Sequence, residues 1–302
     1  MSDLGRILVI MPTYNEAENI GPVIDRLRAA VSDADVLIVD DNSPDGTGQL
    51  ADDLAGRDGH VHVLHRPEKQ GLGAAYIAGF DWGLQAGYGV LIEMDADGSH
   101  QPEQLPRLLA ALAQADMVKG SRWMRGGSVV NWDKKRELLS RGANIWVQAA
   151  MDLPIHDSTG GFNAYRAEIL RRIDLASVTS KGYAFQIDMT RRVLEAGGVV
   201  AEVPIEFLER ASGVSKMGGA IVQEAVLKTL AWGAARRAEQ VKLWHQALLA
   251  KVAPLADKAK LEADGLLERV DEVKQRAADI KQRLAEHGIG APAPQPTEAD
   301  EA

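Results

Sequence analysis

Two aspartates one residue apart, Asp95 and Asp97, close an apolar run in VLIEMDADGSHQPE (90–103). Two carboxylates side by side at the end of a buried strand repel each other, and a cation between them relieves the repulsion. Mg²⁺ and Mn²⁺ prefer oxygen ligands, and often take one or two carboxylates while phosphate oxygens complete the shell. Such an ion also neutralises a departing diphosphate. A D-x-D alone is weak, because surface turns contain many; its place after an apolar run gives it weight.

Three further clusters share this character. MPTYNEAEN places Pro12, Tyr14 and Glu16 after a first apolar run, and IVDDNSPDGT places Asp40 and Asp41 after a second. Carboxylates there suit the N–H and hydroxyl donors of a base and a ribose. LERASGVSK sets Arg210 and Lys216 on a stretch of small residues, a pairing suited to a diphosphate. His100 adjoins the D-x-D, and its expected job is packing or fixing the loop rather than catalysis. His60, His62 and His65 read as a half-solvated strand face rather than a zinc site. Asp157 of DSTGGF is evenly balanced between a simple turn and the site. No G-x-G-x-x-G follows the first apolar run, so the glycines of KQGLGAA read as close helix–sheet packing.

The elements needed to hold these residues are legible. Apolar runs at 6–12, 34–41, 60–66, 89–95 and 115–122 alternate with helical patterns, which predicts a mostly parallel, doubly wound α/β sheet. In such sheets ligands bind beyond the carboxyl ends of the strands, where all these polar clusters fall. Residues 122–135, RWMRGGSVVNWDKK, read as a mobile loop. A helix is expected at about 136–151, another near 183–197, and a strand over 198–210.

After Gly219 the texture changes to Ala, Lys, Glu and Leu. From Leu249 to Leu284 apolar residues recur at alternating spacings of three and four, a heptad seam that Pro254 is expected to divide. Residues 219–250 mix Trp232 and Trp244 with Lys and Arg, which suits either a core helix or an interfacial one. Residues 288–302 are Pro/Ala-rich and acidic, and are expected to be disordered. The expected parts are therefore 1–218, 219–250, 251–287 and 288–302.

Composition narrows the function. The chain has 302 residues, a formal net charge of -9 and no cysteine. A general nucleic-acid binder is usually basic, so nucleic acid is not an expected partner. The missing thiols exclude disulfides, cysteine nucleophiles and Cys-ligated zinc. No apolar run approaches a membrane span of roughly 18 residues, and the first residues lack the pattern of a signal peptide. A cytoplasmic protein, peripheral on the inner face of the membrane, is the expected setting.

Six motifs in order, PTYNEAENI, IVDDNSPDGTG, KQGLGAAYIAGF, EMDADGSHQPE, VKGSRW and LERASGVSKM, resemble the family 2 glycosyltransferases of GT-A fold. Within that family they look like the dolichyl- or polyprenyl-phosphate mannosyltransferases. The resemblance covers roughly residues 5–220 and leaves out the heptads and the tail. It implies that Pro12, Tyr14, Glu16, Val39 and Asp41 hold the nucleotide, and that Asp95, Ala96 and Asp97 hold metal and sugar diphosphate. Some relatives place a glutamine ligand where this chain has Ser99, so Ser99 is the candidate third metal ligand beside Asp95 and Asp97. Arg122, Arg136 and Ser140 match residues that hold the lipid phosphate, and Arg210 with Lys216 matches a clamp on the donor phosphates. Asp97 and Arg122 are the implied catalytic pair, with Mg²⁺ or Mn²⁺ as cofactor. The implied reaction moves mannose from GDP-mannose to a polyprenyl phosphate with inversion. The alternatives are another sugar, such as glucose, or a non-catalytic nucleotide-sugar scaffold. The heptads 251–287 would serve self-association or docking on an integral membrane partner.

Overall fold

A computed structural model of the chain describes residues 4–209 and 219–286. Seven strands form one sheet: β1 (Ile7–Thr13), β2 (Ala34–Asp40), β3 (Val61–His65), β4 (Val90–Glu93), β5 (Met117–Ser121), β7 (Asn163–Arg166) and β8 (Val200–Pro204). Their order is β3-β2-β1-β4-β7-β5-β8, and every pairing is parallel except those of β7. The mostly parallel sheet expected from the alternating pattern is present, with β7 as an antiparallel insertion. β7 escapes a sequence reading because NAYR has no apolar run.

Both faces of the sheet are covered, as continuous apolar strands require. Val9 and Met11 of β1 face a core shared with α1 (Ile20–Ala30), α2 (Thr47–Arg57) and α4 (Leu105–Ala111). Leu8 and Ile10 face the other core, built with α3 (Leu72–Gln85), α6 (Ala167–Arg172) and α7 (Gly182–Glu195). α3 sits unusually close to the sheet: a Cβ on Gly79 would lie 2.4 Å from Ile10 Cγ2. This close packing is what the glycine-rich helix was expected to provide, and it carries Tyr76 under the end of β4.

Two expectations need correction. Residues 122–135 are not simply a loop, because β6 (Ser128–Val130) pairs in parallel with β9 (Glu206–Leu208). The expected strand 198–210 is two short strands in different sheets, since the chain leaves β8 at Pro204 and joins β6 two residues later. Proline lacks the N–H that a continuing ladder needs.

Helix α5 (Lys134–Met151) opens with Asp133, whose side chain accepts from the Lys135 backbone N–H. Helix α8 is assigned from Gly219 to Glu286 and runs through Pro254, against the expected division. Proline there removes one backbone donor, and the carbonyl so released belongs to exposed Ala250, where water can satisfy it. The chain divides into two compact units, Met1–Arg236 and Arg237–Ala302. The division falls inside α8 because its early turns pack on α5 within the first unit. There Trp146 Nε1 donates to Thr229 Oγ1 at 3.1 Å, and a Cβ on Gly233 would meet the Ala150 carbonyl oxygen. Among the described residues, no helix is long and apolar enough to cross a membrane.

Candidate active site at the carboxyl ends of β1, β2, β4 and β5

The loops after β1 and β2 are stitched into one unit by side chains that bond backbone N–H groups. Buried Asp40 accepts from Thr13 Oγ1 at 3.0 Å, Ser43 Oγ at 2.6 Å and the Ser43 backbone at 3.1 Å. Ser43 Oγ in turn accepts from the Asn15 backbone, and Thr47 Oγ1 from the Glu16 backbone at 2.9 Å. Asn15 and Asn42 take positive φ values of 60° and 57°, the left-handed turn region that asparagine tolerates. Asp40 is thus the structural member of the Asp40–Asp41 pair.

Asp41 pairs instead with a cation. It accepts from Arg66 Nη1 at 2.6 Å. Burial pushes its carboxyl up, against the pull of Arg66. Tyr14 lies under Lys69 Nζ, 3.7 Å from the ring centroid, and Glu16 accepts from Asn19 Nδ2 at 2.8 Å. Pro12 pairs with Val39 across β1 and β2; Pro12 is half-buried, while the Val39 side chain is wholly buried in the core. Arg66 and Lys69 were not singled out from the sequence, and only their return beside the first two strand ends reveals them.

At the end of β4 the two aspartates stand in different surroundings. Asp95 accepts from the hydroxyl of fully buried Tyr76 at 3.0 Å, and its backbone N–H donates to His100 Nδ1 at 2.9 Å. His100 stacks on Phe162 with centroids 4.9 Å apart. That is the loop-fixing role expected of it. Asp97 accepts from Ser99 Oγ at 2.6 Å and from the Ser99 backbone at 3.0 Å. Ser99 and Ala96 are both buried. The pair of carboxylates, each supported by a neutral hydroxyl, has the donor chemistry of a hard divalent cation that completes its shell with ligand phosphates. Among the described residues no three His, Cys, Asp or Glu side chains cluster as a closed metal site.

The side beyond β5 is built from guanidinium groups and aromatic rings. Arg122, 6% exposed, donates from Nε and Nη2 to both oxygens of Asp157 at 2.7 and 2.8 Å. Its backbone N–H also reaches Asp157, and Nη2 reaches Thr159 Oγ1 at 3.0 Å. Burial opposes ionisation of Asp157, yet Arg122 outweighs it and holds the carboxyl below the usual range. Burial likewise opposes the charge on Arg122, and Asp157 with the more distant Asp95 restores it.

Arg122 lies within 5.6 Å of the rings of Trp123, Trp132 and Phe207, while Arg136 covers Trp132 at 4.0 Å and Arg141 covers Trp123 at 4.3 Å. Arg136 also pairs with Glu209 at 3.2 Å. Arg122 and Arg136 therefore share the Trp132 ring as a neighbour. Ser140 follows Arg136 one turn later on α5. Beside it Leu138 and Leu139 are exposed. The indole Nε1 atoms of Trp123 and Trp132, with Arg136 Nε, are buried and have no hydrogen-bond partner among the described residues. Arg210 and Lys216 lie outside the described residues.

A polar network runs beneath the site, and nothing in the sequence pattern announced it. Glu93, wholly buried at the end of β4, accepts from Asn163 Nδ2 at 2.8 Å and Tyr165 Oη at 3.1 Å. Buried Lys119 donates to Asn163 Oδ1 at 2.9 Å. Burial pushes Glu93 up to about 7 and Lys119 down to about 8. The three expected strand histidines go separate ways: His60 to Asp35, His65 to Asp52, and His62 against Trp82.

Comparison with known proteins agrees with this geometry. The model of glycosyl transferase family 2 matches residues 8–174. An undecaprenyl-phosphate mannosyltransferase of Micrococcus luteus is 55% identical over 237 residues, 78% of this chain and 98% of that protein. A polyprenol monophosphomannose synthase of Mycolicibacterium smegmatis is 54% identical over 239 residues, 78% of this chain and 90% of that one. Among solved structures, glucosyl-3-phosphoglycerate synthase of Mycobacterium tuberculosis, in complex with Mn²⁺, uridine diphosphate and phosphoglyceric acid, superposes with a TM-score of 0.57. It shares 18% identity over 76% of this chain and 78% of that chain, a likeness of fold alone.

Proposed function

This chain belongs to glycosyl transferase family 2, and we propose that it transfers mannose from GDP-mannose to a polyprenyl phosphate at a membrane surface. The observation that carries the reading is the junction of opposite charges in one site. The Asp95–Asp97 pair stands at the end of β4, and Arg122 and Arg136, both beside the Trp132 ring, stand beyond β5. The two relatives above, more than half identical, carry polyprenyl-phosphate mannosyl transfer in their names.

The stitched β1 and β2 loops, with Pro12, Tyr14, Glu16, Val39 and Asp41, form the nucleotide side. Asp95 and Asp97 would hold Mg²⁺ or Mn²⁺, Ser99 fixing the Asp97 carboxylate. The bound ion supplies neutralisation of the departing diphosphate. On the acceptor side, Asp157 orients Arg122, and Arg136 with Ser140 receives the lipid phosphate. The buried N–H groups of Trp123, Trp132 and Arg136 that lack protein acceptors suit an incoming anion. Exposed Leu138 and Leu139 suit the isoprenoid that trails from it.

The acceptor phosphate oxygen attacks the anomeric carbon as the bond to GDP breaks. One displacement inverts the centre and gives a β-mannosyl phosphate. A phosphate is already ionised near neutral pH, so no strong general base is needed, and positioning with charge neutralisation dominates. Arg210 and Lys216 complete the donor clamp in this reading.

Thin-layer analysis of radiolabelled product from GDP-mannose and mixed polyprenyl phosphates tests it, with chelator in a parallel arm. A mannosyl lipid whose formation stops with EDTA is expected. Transfer from UDP-glucose instead would change the sugar, and no transfer from any donor would leave a binding scaffold. The chemistry is assigned to residues 1–218. Truncation at Ala250 should therefore spare transfer in detergent to a short-chain acceptor, and loss as complete as that of Asp97→Ala would merge the C-terminal helix with the catalytic fold.

A further inference from the structure

The second compact unit carries a charge pattern that the transfer reaction does not use. Between Val241 and Glu286, α8 is exposed along its length apart from half-buried Gly265. At 3.6 residues per turn, Leu248, Val252, Leu255, Leu266, Val273 and Leu284 fall in one sector about 60° wide, and all six are exposed. Lys251, Lys258, Arg269, Arg276 and Arg283 line one edge of that sector. Lys242, Lys260, Lys274 and Lys281 line the other. Asp257, Asp264, Glu268, Asp271, Asp279 and Glu286 occupy the opposite face. Leu243, Leu249, Leu261, Glu262, Leu267 and Glu272 depart from the pattern.

The arrangement has three zones: an apolar front, cationic edges and an acidic back. A Lys or Arg at such an edge lays its aliphatic stem along an apolar surface and lifts its charge to the height of lipid headgroups. Acidic groups on the back then face water. A helix with an apolar face and basic flanks lies in the plane of a bilayer interface. We propose that Val241–Glu286 of α8 docks in plane on an anionic lipid surface, with both basic edges at the headgroup phosphates.

Charge decides against a second copy as the occupant of this face. A parallel coiled coil along the same seam would set Arg269 against Lys274 and Arg276 against Lys281 across the interface. Ala256, Ala259, Ala263 and Ala277 at seam positions offer such a partner little apolar surface. An in-plane helix needs no knobs-into-holes fit and tolerates these small residues.

The test uses the full-length protein and flotation with phosphatidylcholine vesicles, with or without phosphatidylglycerol at about three parts in ten. The wild type should float with the anionic vesicles, and rising salt should weaken the association. Arg269→Gln, Lys274→Gln, Arg276→Gln and Lys281→Gln combined should cut vesicle binding by at least about tenfold. Leu266→Gln with Val273→Gln should also cut it, while Asp264→Asn with Asp271→Asn should not. Equal helical circular dichroism establishes that the variants fold. Mannosyl transfer in detergent to a short-chain acceptor should be unchanged in all of them, so failure of this inference is separable from failure of the proposed reaction. Undiminished flotation of the four-Gln variant, or no flotation of the wild type, overturns the proposal. So does sedimentation equilibrium showing a dimer that either the four-Gln or the Leu266→Gln/Val273→Gln variant dissolves.

Discussion

The two sides of the candidate site handle charge in opposite ways. On the side proposed for the nucleotide, carboxylates crowd at the ends of β2 and β4, where they accept from Thr13, Ser43, Tyr76 and Ser99 hydroxyls, from backbone N–H and, at Asp41, from Arg66. On the side beyond β5, the buried Arg122 is matched in full by Asp157, and aromatic rings separate it from its neighbours. Hydroxyl donors orient a carboxylate without cancelling its charge. An ion pair cancels charge and fixes geometry, which leaves the second side rigid, with Arg136 as the cation nearer solvent. The first side orients its carboxylates, and the second is built to hold a shape.

The sharpest way to break this contrast is to remove one charge from each side. Asp97→Ala should lower transfer on the order of a thousandfold, since the ion it is proposed to hold would supply several kcal/mol of charge stabilisation. Its thermal midpoint should fall by a smaller margin, because the buried Ser99 hydroxyl and backbone N–H lose their acceptor. Turnover with saturating Mn²⁺ and a melting curve read both, and wild-type turnover would end the assignment. Asp157→Asn should behave in the reverse sense. It strips the partner from a buried guanidinium, and breaking such a pair costs about 3–5 kcal/mol of stability. Urea unfolding measures this, and an unchanged midpoint would mean that Arg122 is not held as described.

Arg136→Ala sharpens the contrast within the second side. Loss of a charge-assisted phosphate contact costs on the order of 1.5–3 kcal/mol. The KM for lipid phosphate should rise accordingly, while calorimetric affinity for GDP stays constant. Equal loss of GDP affinity would move Arg136 to the donor side. Arg122→Ala should impair the acceptor in the same way, with an added loss of stability because Asp157 is left unpaired.

The last expected effect lies beneath the site and is read in stability alone. Glu93 is raised from 4.5 to about 7 by burial, so the folded state holds a proton there that the unfolded chain releases. Stability should therefore fall as pH rises from about 4.5 to about 7. Lys119, lowered from 10.5 to about 8, works in the other sense at higher pH: stability should recover between about 8 and 10.5. Urea unfolding across this range should show a shallow minimum, and Glu93→Gln should flatten the acid limb whatever its overall offset. A variant that keeps the full slope between pH 4.5 and 7 would clear Glu93 of this role.

Much of this was legible in the chain as written. Alternating apolar runs and helical patterns fix a doubly wound sheet, because burial on both faces demands continuous apolar strands. Clusters such as DADGSH and DDNSPDGT mark where strands end, because turn chemistry is local. The family follows from six motifs in order. The antiparallel β7 was hidden, because four residues with Asn and Arg at their ends carry no periodic signal. The β6–β9 pair was hidden for a related reason: three-residue strands are too short to alternate visibly.

Partner choice is where the sequence by itself stopped. The D-x-D, the Arg122 motif and the basic-edged helix are set by residues near one another in the chain. That Arg122 meets Asp157, 35 residues away, that Arg66 meets Asp41, and that Asn163 joins Glu93 to Lys119 was decided only when β7 entered the sheet and the strand ends converged. Burial is the physical reason. A charge removed from water must find its counterpart within hydrogen-bond reach, and which counterpart lies within reach is a property of the packed sheet.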